Sequence, residues 1–169
     1  MKTILPAFAL GLAFALGLTS LAGPAFAHDF TLGDLVIDHP YARATPPNAP
    51  VSGGYMTIRN SGTQADRLVS ATASFAGKVE FHEMAMDGDV MKMRPLADGL
   101  EIPAGGEVIL KPGGYHVMFM QLGQQLEAGQ KVKATLTFEN AGAIEVEFDV
   151  EEMKPGGAGG HDGHSGHGG

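Results

Sequence analysis

Residues 131–150 read KVKATLTFENAGAIEVEFDV, two alternating runs, Lys131–Phe138 and Ile144–Val150, around a turn signal at Asn140-Ala141-Gly142. Alternation of apolar and polar residues is the signature of a half-buried strand, and the central Asn and Gly suit a reversal of direction. This stretch predicts a β-hairpin with Thr135, Phe138, Ile144, Val146 and Phe148 facing a core and Glu139 and Glu145 outside. The same grammar continues upstream. Short apolar runs at Leu35–Ile37, Val51–Asn60, Arg67–Ser74, Lys78–Met84, Val90–Pro95, Glu107–Leu110 and Tyr115–Gln121 are separated by Gly-, Pro-, Asn- and Asp-rich breaks. No sustained 3.6-residue apolar repeat competes with them beyond the first twenty residues. The reading is an all-β, Greek-key antiparallel β-sandwich or barrel of eight or nine strands.

Composition narrows the chemistry. The chain has 169 residues, no cysteine, no tryptophan, nine methionines and seven histidines. Without cysteine there is no disulfide framework, thiolate zinc site, cysteine nucleophile or blue-copper centre, and no residue to carry a lipoprotein's lipid. Nineteen acidic against eleven basic residues leave a net charge of −8, and no basic stripe suggests nucleic acid. The N-terminus has Lys2, an apolar stretch from Ile4 to Leu18, and Ala25-Phe26-Ala27, the small-x-small pattern of a signal-peptidase site. The stretch is shorter than the roughly 20 residues of a spanning helix. Residues 1–27 are therefore expected to be a cleaved signal peptide, and residues 28–152 an exported β domain with no membrane span after cleavage. Residues 153–169, almost wholly Gly, His, Asp, Ser and Pro, are expected to be a disordered tail.

Two strands carry a shared pattern of donors. In Val79–Met86, Val79 and Phe81 fall on one face while Glu80, His82, Met84 and Met86 fall on the other. In Tyr115–Met120, Val117 and Phe119 are the apolar set, with His116, Met118 and Met120 opposite. Each strand reads His-x-Met-x-Met. A lone strand methionine is usually core filler, but here the core claims the alternate residues. Met91 and Met93 lie across the Asp87-Gly88-Asp89 turn, able to lean toward His82. Two imidazoles with neutral, soft thioethers and no thiolate favour Cu(I) over zinc, calcium or magnesium. No nucleophile–base pair or phosphate loop is apparent, and the chain is not read as an enzyme.

His82, Met93, His116 and Met118, with 10 and then 22 residues separating the first three, resemble the ligand pattern of the periplasmic copper chaperones called PCu(A)C. Also similar are Tyr41-Ala42-Arg43-Ala44-Thr45-Pro46-Pro47 leading to Gly53-Gly54-Tyr55, Met91-Lys92-Met93-Arg94-Pro95, and Lys111-Pro112-Gly113-Gly114-Tyr115-His116-Val117-Met118. The resemblance runs from about His39 to Glu151. It implies a cupredoxin-like fold and a Cu(I) site of His82, Met93, His116 and Met118. It also implies delivery to the binuclear copper centre of cytochrome c oxidase, often alongside a Sco-type protein, in the periplasm. The strand reading favours Met84 where the resemblance assigns Met93; Met84, Met86, Met91 and Met120 then form a second shell or relay. A monomer and a copper-bridged dimer are both compatible.

His161, His164 and His167 recur in the tail and are candidates for Cu(II) capture, since flexible imidazoles collect borderline ions without selectivity. His28 would be the first residue after cleavage, half of the histidine brace of a copper oxygenase, the less favoured reading. Sequestration for copper tolerance, without a dedicated recipient, is the nearer rival.

Overall fold

The computed structural model describes residues 29–152; the expected signal peptide, His28 and the His-rich tail lie outside the described residues. Eleven strands follow one another: β1 (Phe30–Leu32), β2 (Leu35–Arg43), β3 (Val51–Asn60), β4 (Asp66–Ala73), β5 (Ala76–Asp87), β6 (Val90–Pro95), β7 (Leu100–Ile102), β8 (Glu107–Leu110), β9 (His116–Leu122), β10 (Lys131–Phe138) and β11 (Gly142–Glu151). Their order is β2-β11-β10-β4-β5-β9-β3, and a β3–β2 pairing closes the path into a seven-stranded barrel, with β1, β6, β7 and β8 paired to its members. Closure leaves none of the seven an open edge. All pairings but one are antiparallel; β11 runs parallel to β2. The all-β, cupredoxin-like expectation holds, with the sheet closing on itself.

Period-2 alternation explains the interior. Val132, Ala134, Leu136 and Phe138 point inward from β10, and Val146, Phe148 and Val150 from β11. They meet Ile37, Ile58, Leu68, Phe81, Val117 and Phe119 in one cluster. Phe119 lies 4.9 Å from Phe75 and edge-on to Phe148 at 5.5 Å. Thr135 does not join them. It and Phe138 have opposite parity, so one strand cannot bury both, and Thr135 stands outside opposite Glu145.

The strands that sequence reading left out have local causes. β1 and β7 are three residues each, too short to show a period. β2 continues beyond Ile37 through Pro40, which reads as a breaker. His39 adopts φ 47°, and the β2–β3 register shifts between Asp38 and Tyr41. A bulge is where a strand accommodates proline. His39 is thus a strand residue, its Nε2 3.1 Å from Glu151.

Candidate metal centre

β9 sits between β3 and β5, and β5 runs on past it to pair with β6. Val117, Phe119 and Phe81 face the barrel core, each 5% exposed or less. Alternation therefore turns His116, Met118 and Met120 of β9, and Glu80, His82, Met84 and Met86 of β5, to the outer face. Register does the rest. His82 is directly opposite His116, Glu80 opposite Met118, Met84 opposite Met93, and Met86 opposite Met91. The histidine pair is thus flanked along the strands by Met118 on one side and the Met84–Met93 pair on the other. The two candidates for the first thioether are cross-strand neighbours on one face.

Gly53 of β3 leaves room on this face. Gly53 pairs with Met118, and a Cβ at Gly53 would come 2.5 Å from the Tyr55 hydroxyl. The Tyr55 ring accordingly folds over Gly53.

The imidazoles are within reach of a shared ion. A metal–nitrogen bond of about 2.0 Å places an ion roughly 3.1 Å from a ring centre, so two rings can share one ion up to about 6.2 Å apart. The His82 and His116 centroids are 5.8 Å apart with planes at 59°. Neither is an ordinary surface histidine: the His116 residue is 5% exposed and the His82 side chain 12%. His116 Nδ1 hydrogen-bonds the Gly114 carbonyl at 2.9 Å. His82 Nε2 lies 2.8 Å from Glu80 Oε2, while His82 Nδ1 is buried without a hydrogen-bond partner among the described residues. A buried ring nitrogen with a free lone pair, on a face that also carries thioethers, is chemically suited to a soft metal. Among the described residues no three His, Asp or Glu side chains converge as a metal site, so no oxygen-rich or three-histidine centre competes.

Glu80 is the neighbour that sequence reading placed on the face without giving it a task. Its other carboxylate oxygen lies 2.5 Å from Lys78 Nζ. The hydrogen bond from Lys78, and then that from His82, holds the Glu80 carboxyl below the usual carboxylate range. The signal was present in the sequence: Lys78, Glu80 and His82 share one parity on β5. Exposure grows along the β5–β6 hairpin. Met84, Met118 and Met120 are half-buried, whereas Met93, Met91 and Met86 are 48%, 51% and 59% exposed. His161, His164, His167 and His28 fall outside the described residues.

The chain is similar in fold to copper-bound domains of known structure. The chain is 27% identical to the copper-bound PCuAC domain from PmoF2, at a TM-score of 0.64 over 75% of this chain and 99% of that one. It is 27% identical to CuI-DR1885 from Deinococcus radiodurans, at a TM-score of 0.57 over 74% of this chain and 81% of that one. A protein of Leifsonia xyli subsp. xyli (strain CTCB07) carrying the lipoprotein name Lxx21020 is 33% identical over 103 residues. That match covers 61% of this chain and 62% of the relative's length. The LpqE-like family of lipoprotein sequences matches residues 35–150, from the first residue of β2 to within one residue of the end of β11. With the family match spanning the barrel and the outward His/Met face, the chain belongs to the LpqE-like family, and it has the PCuAC fold.

Proposed function

We propose that this protein is a copper carrier that holds Cu(I) as cargo between His82, Met93, His116 and Met118. One observation carries the reading: an opposed histidine pair, flanked by thioethers, with a buried ring nitrogen that no described residue satisfies. Thioethers are neutral and soft, so the donor set suits a monovalent soft ion and leaves a divalent one uncompensated. It also suits transport rather than turnover. The site lies on an outer face, and the Met84–Met93 and Met86–Met91 pairs lead from it toward an exposed hairpin tip. Met84, Met86, Met91 and Met120 then serve as a relay on which an ion is handed over in short steps. The tail histidines His161, His164 and His167 take up Cu(II).

The likeness to copper-bound PCuAC domains supports copper as the cargo. The lipoprotein name of the relative supports a location outside the cytoplasm, for which the periplasm is proposed. The recipient proposed is the binuclear copper centre of cytochrome c oxidase, reached with a Sco-type partner.

Metal selectivity tests the site. Anaerobic titration should give one Cu(I) per chain at the barrel, undisturbed by equimolar Zn(II). Displacement of Cu(I) by Zn(II) would overturn the soft-site reading. A strain lacking the gene tests delivery: loss of oxidase activity at low copper, restored by added copper, is expected. Sensitivity to excess copper with normal oxidase would identify sequestration instead.

A further inference from the structure

We infer that Glu80 is a positioning residue that fixes the tautomer of His82, so that the two histidines take the cargo through different nitrogens, Nδ1 of His82 and Nε2 of His116. The inference rests on the copper reading of the same face. An ionised carboxylate has no proton to give, so the 2.8 Å contact between Glu80 Oε2 and His82 Nε2 is an Nε2–H donating to the carboxylate. A neutral imidazole with its proton on Nε2 has its lone pair on Nδ1. Nδ1 is buried and has no hydrogen-bond partner among the described residues. A native protein seldom leaves such an atom unpaired without a functional reason.

His116 is set the other way. Its Nδ1–H donates to the Gly114 carbonyl at 2.9 Å, which leaves the lone pair on Nε2. Main chain fixes one ring and a side chain fixes the other. Lys78 completes the second device, since its ammonium lies 2.5 Å from Glu80 Oε1 and leaves Oε2 to the histidine. Lys78, Glu80 and His82 occupy alternate positions of β5, so the strand period alone aligns them. A carboxylate behind a metal-binding imidazole orients the ring and raises its basicity, and loss of such a partner typically costs 10–100-fold in metal affinity.

Long-range proton–nitrogen correlation spectra of the metal-free protein test this directly. They are recorded at about pH 8, where free imidazole is neutral. The wild type should show His82 as the Nε2–H form and His116 as the Nδ1–H form. Glu80→Ala should leave His82 as a mixture and His116 unchanged, and lower Cu(I) affinity about 10–100-fold. Glu80→Gln keeps an oxygen that accepts from Nε2–H, and should restore the tautomer and most of the affinity. Adding Cu(I) anaerobically to the wild type should shift His82 Nδ1 and His116 Nε2. A His82 ring protonated on Nδ1, or a Cu(I)-dependent shift at its Nε2, would overturn the inference. If Cu(I) moves no histidine nitrogen while the metal-free tautomers are as stated, the copper reading of the face fails instead.

Discussion

Two hairpins of this barrel use the same backbone ladder for different ends. In the β10–β11 hairpin every inward residue from Val132 to Phe138 along one parity is buried, and the outer face is laced by Lys131–Glu147 and Lys133–Glu145 contacts at 2.8 and 2.7 Å. Its far end is tied down by Asp66, whose carboxylate accepts the main-chain N–H groups of Arg67, Asn140 and Ala141. In the β5–β6 hairpin, burial ends at Phe81. Every residue of β6 is exposed, and methionines stand where the other hairpin has charges. Stability accounts for each choice in the first hairpin. It accounts for few in the second, where thioethers cover no core and a buried His82 nitrogen lacks a partner among the described residues. Under the proposed reading, this outer face serves a ligand.

The contrast can be broken most forcefully in the scaffold. Phe148→Ala should destabilise the barrel by about 3–5 kcal/mol, read by urea unfolding, because the ring is fully buried against Phe119. Met86→Ala with Met91→Ala should leave the unfolding midpoint where it was, since both side chains are largely exposed. A large loss of stability there would make the methionines structural after all.

Asp66→Asn should come next, at about 1.5–3 kcal/mol, the range for hydrogen bonds to a charged group. Burial pushes this carboxyl up, but the N–H groups of Asn140, Arg67, Ala141 and Glu139 together outweigh it and hold its pKa below the ordinary value. The carboxylate form thus favours the folded state. Its stabilisation is complete above the unfolded value near about 3.9 and is lost as pH falls through the lower folded value. The wild type should therefore lose more stability than Asp66→Asn when unfolding is compared at about pH 6 and about pH 3.

A finer comparison separates the two opposed thioethers. Met93→Leu should weaken Cu(I) binding more than Met84→Leu, with neither changing apo stability much, as competition against a chromophoric chelator would show. The reverse order would give the ligand role to Met84. Smallest of all, Lys133→Met breaks an exposed ion pair and should leave the unfolding midpoint within error.

The sequence was most legible where a period repeats. The alternation of Val117 and Phe119 with His116, Met118 and Met120 predicted both the core side and the donor side of β9. The Asp87-Gly88-Asp89 turn likewise brought Met93 across from β5. It was least legible where structure depends on register. Neither the closure of the sheet through β2–β3 and the parallel β11–β2 pair, nor which of Met84 and Met93 serves, follows from a single strand's pattern. Thr135, expected in the core, stands outside because its parity on β10 is opposite to that of Phe138, and β2 runs past its expected end because the His39-Pro40 bulge mimics a strand end. Glu80 was seen on the right face, but its bond to His82 Nε2 needs side-chain conformations that spacing does not carry.

The most direct test is a paired measurement on wild type and a His82→Ala/His116→Ala variant, each with and without residues 153–169. Anaerobic Cu(I) affinity and the unfolding midpoint of the metal-free protein are read from the same preparations. The account predicts that the double variant loses tight one-to-one binding and keeps its midpoint, whether or not the tail is present. Tight binding that survives the double variant and disappears with the tail would contradict it, and would make the outward His/Met face an unusual but inert part of the barrel.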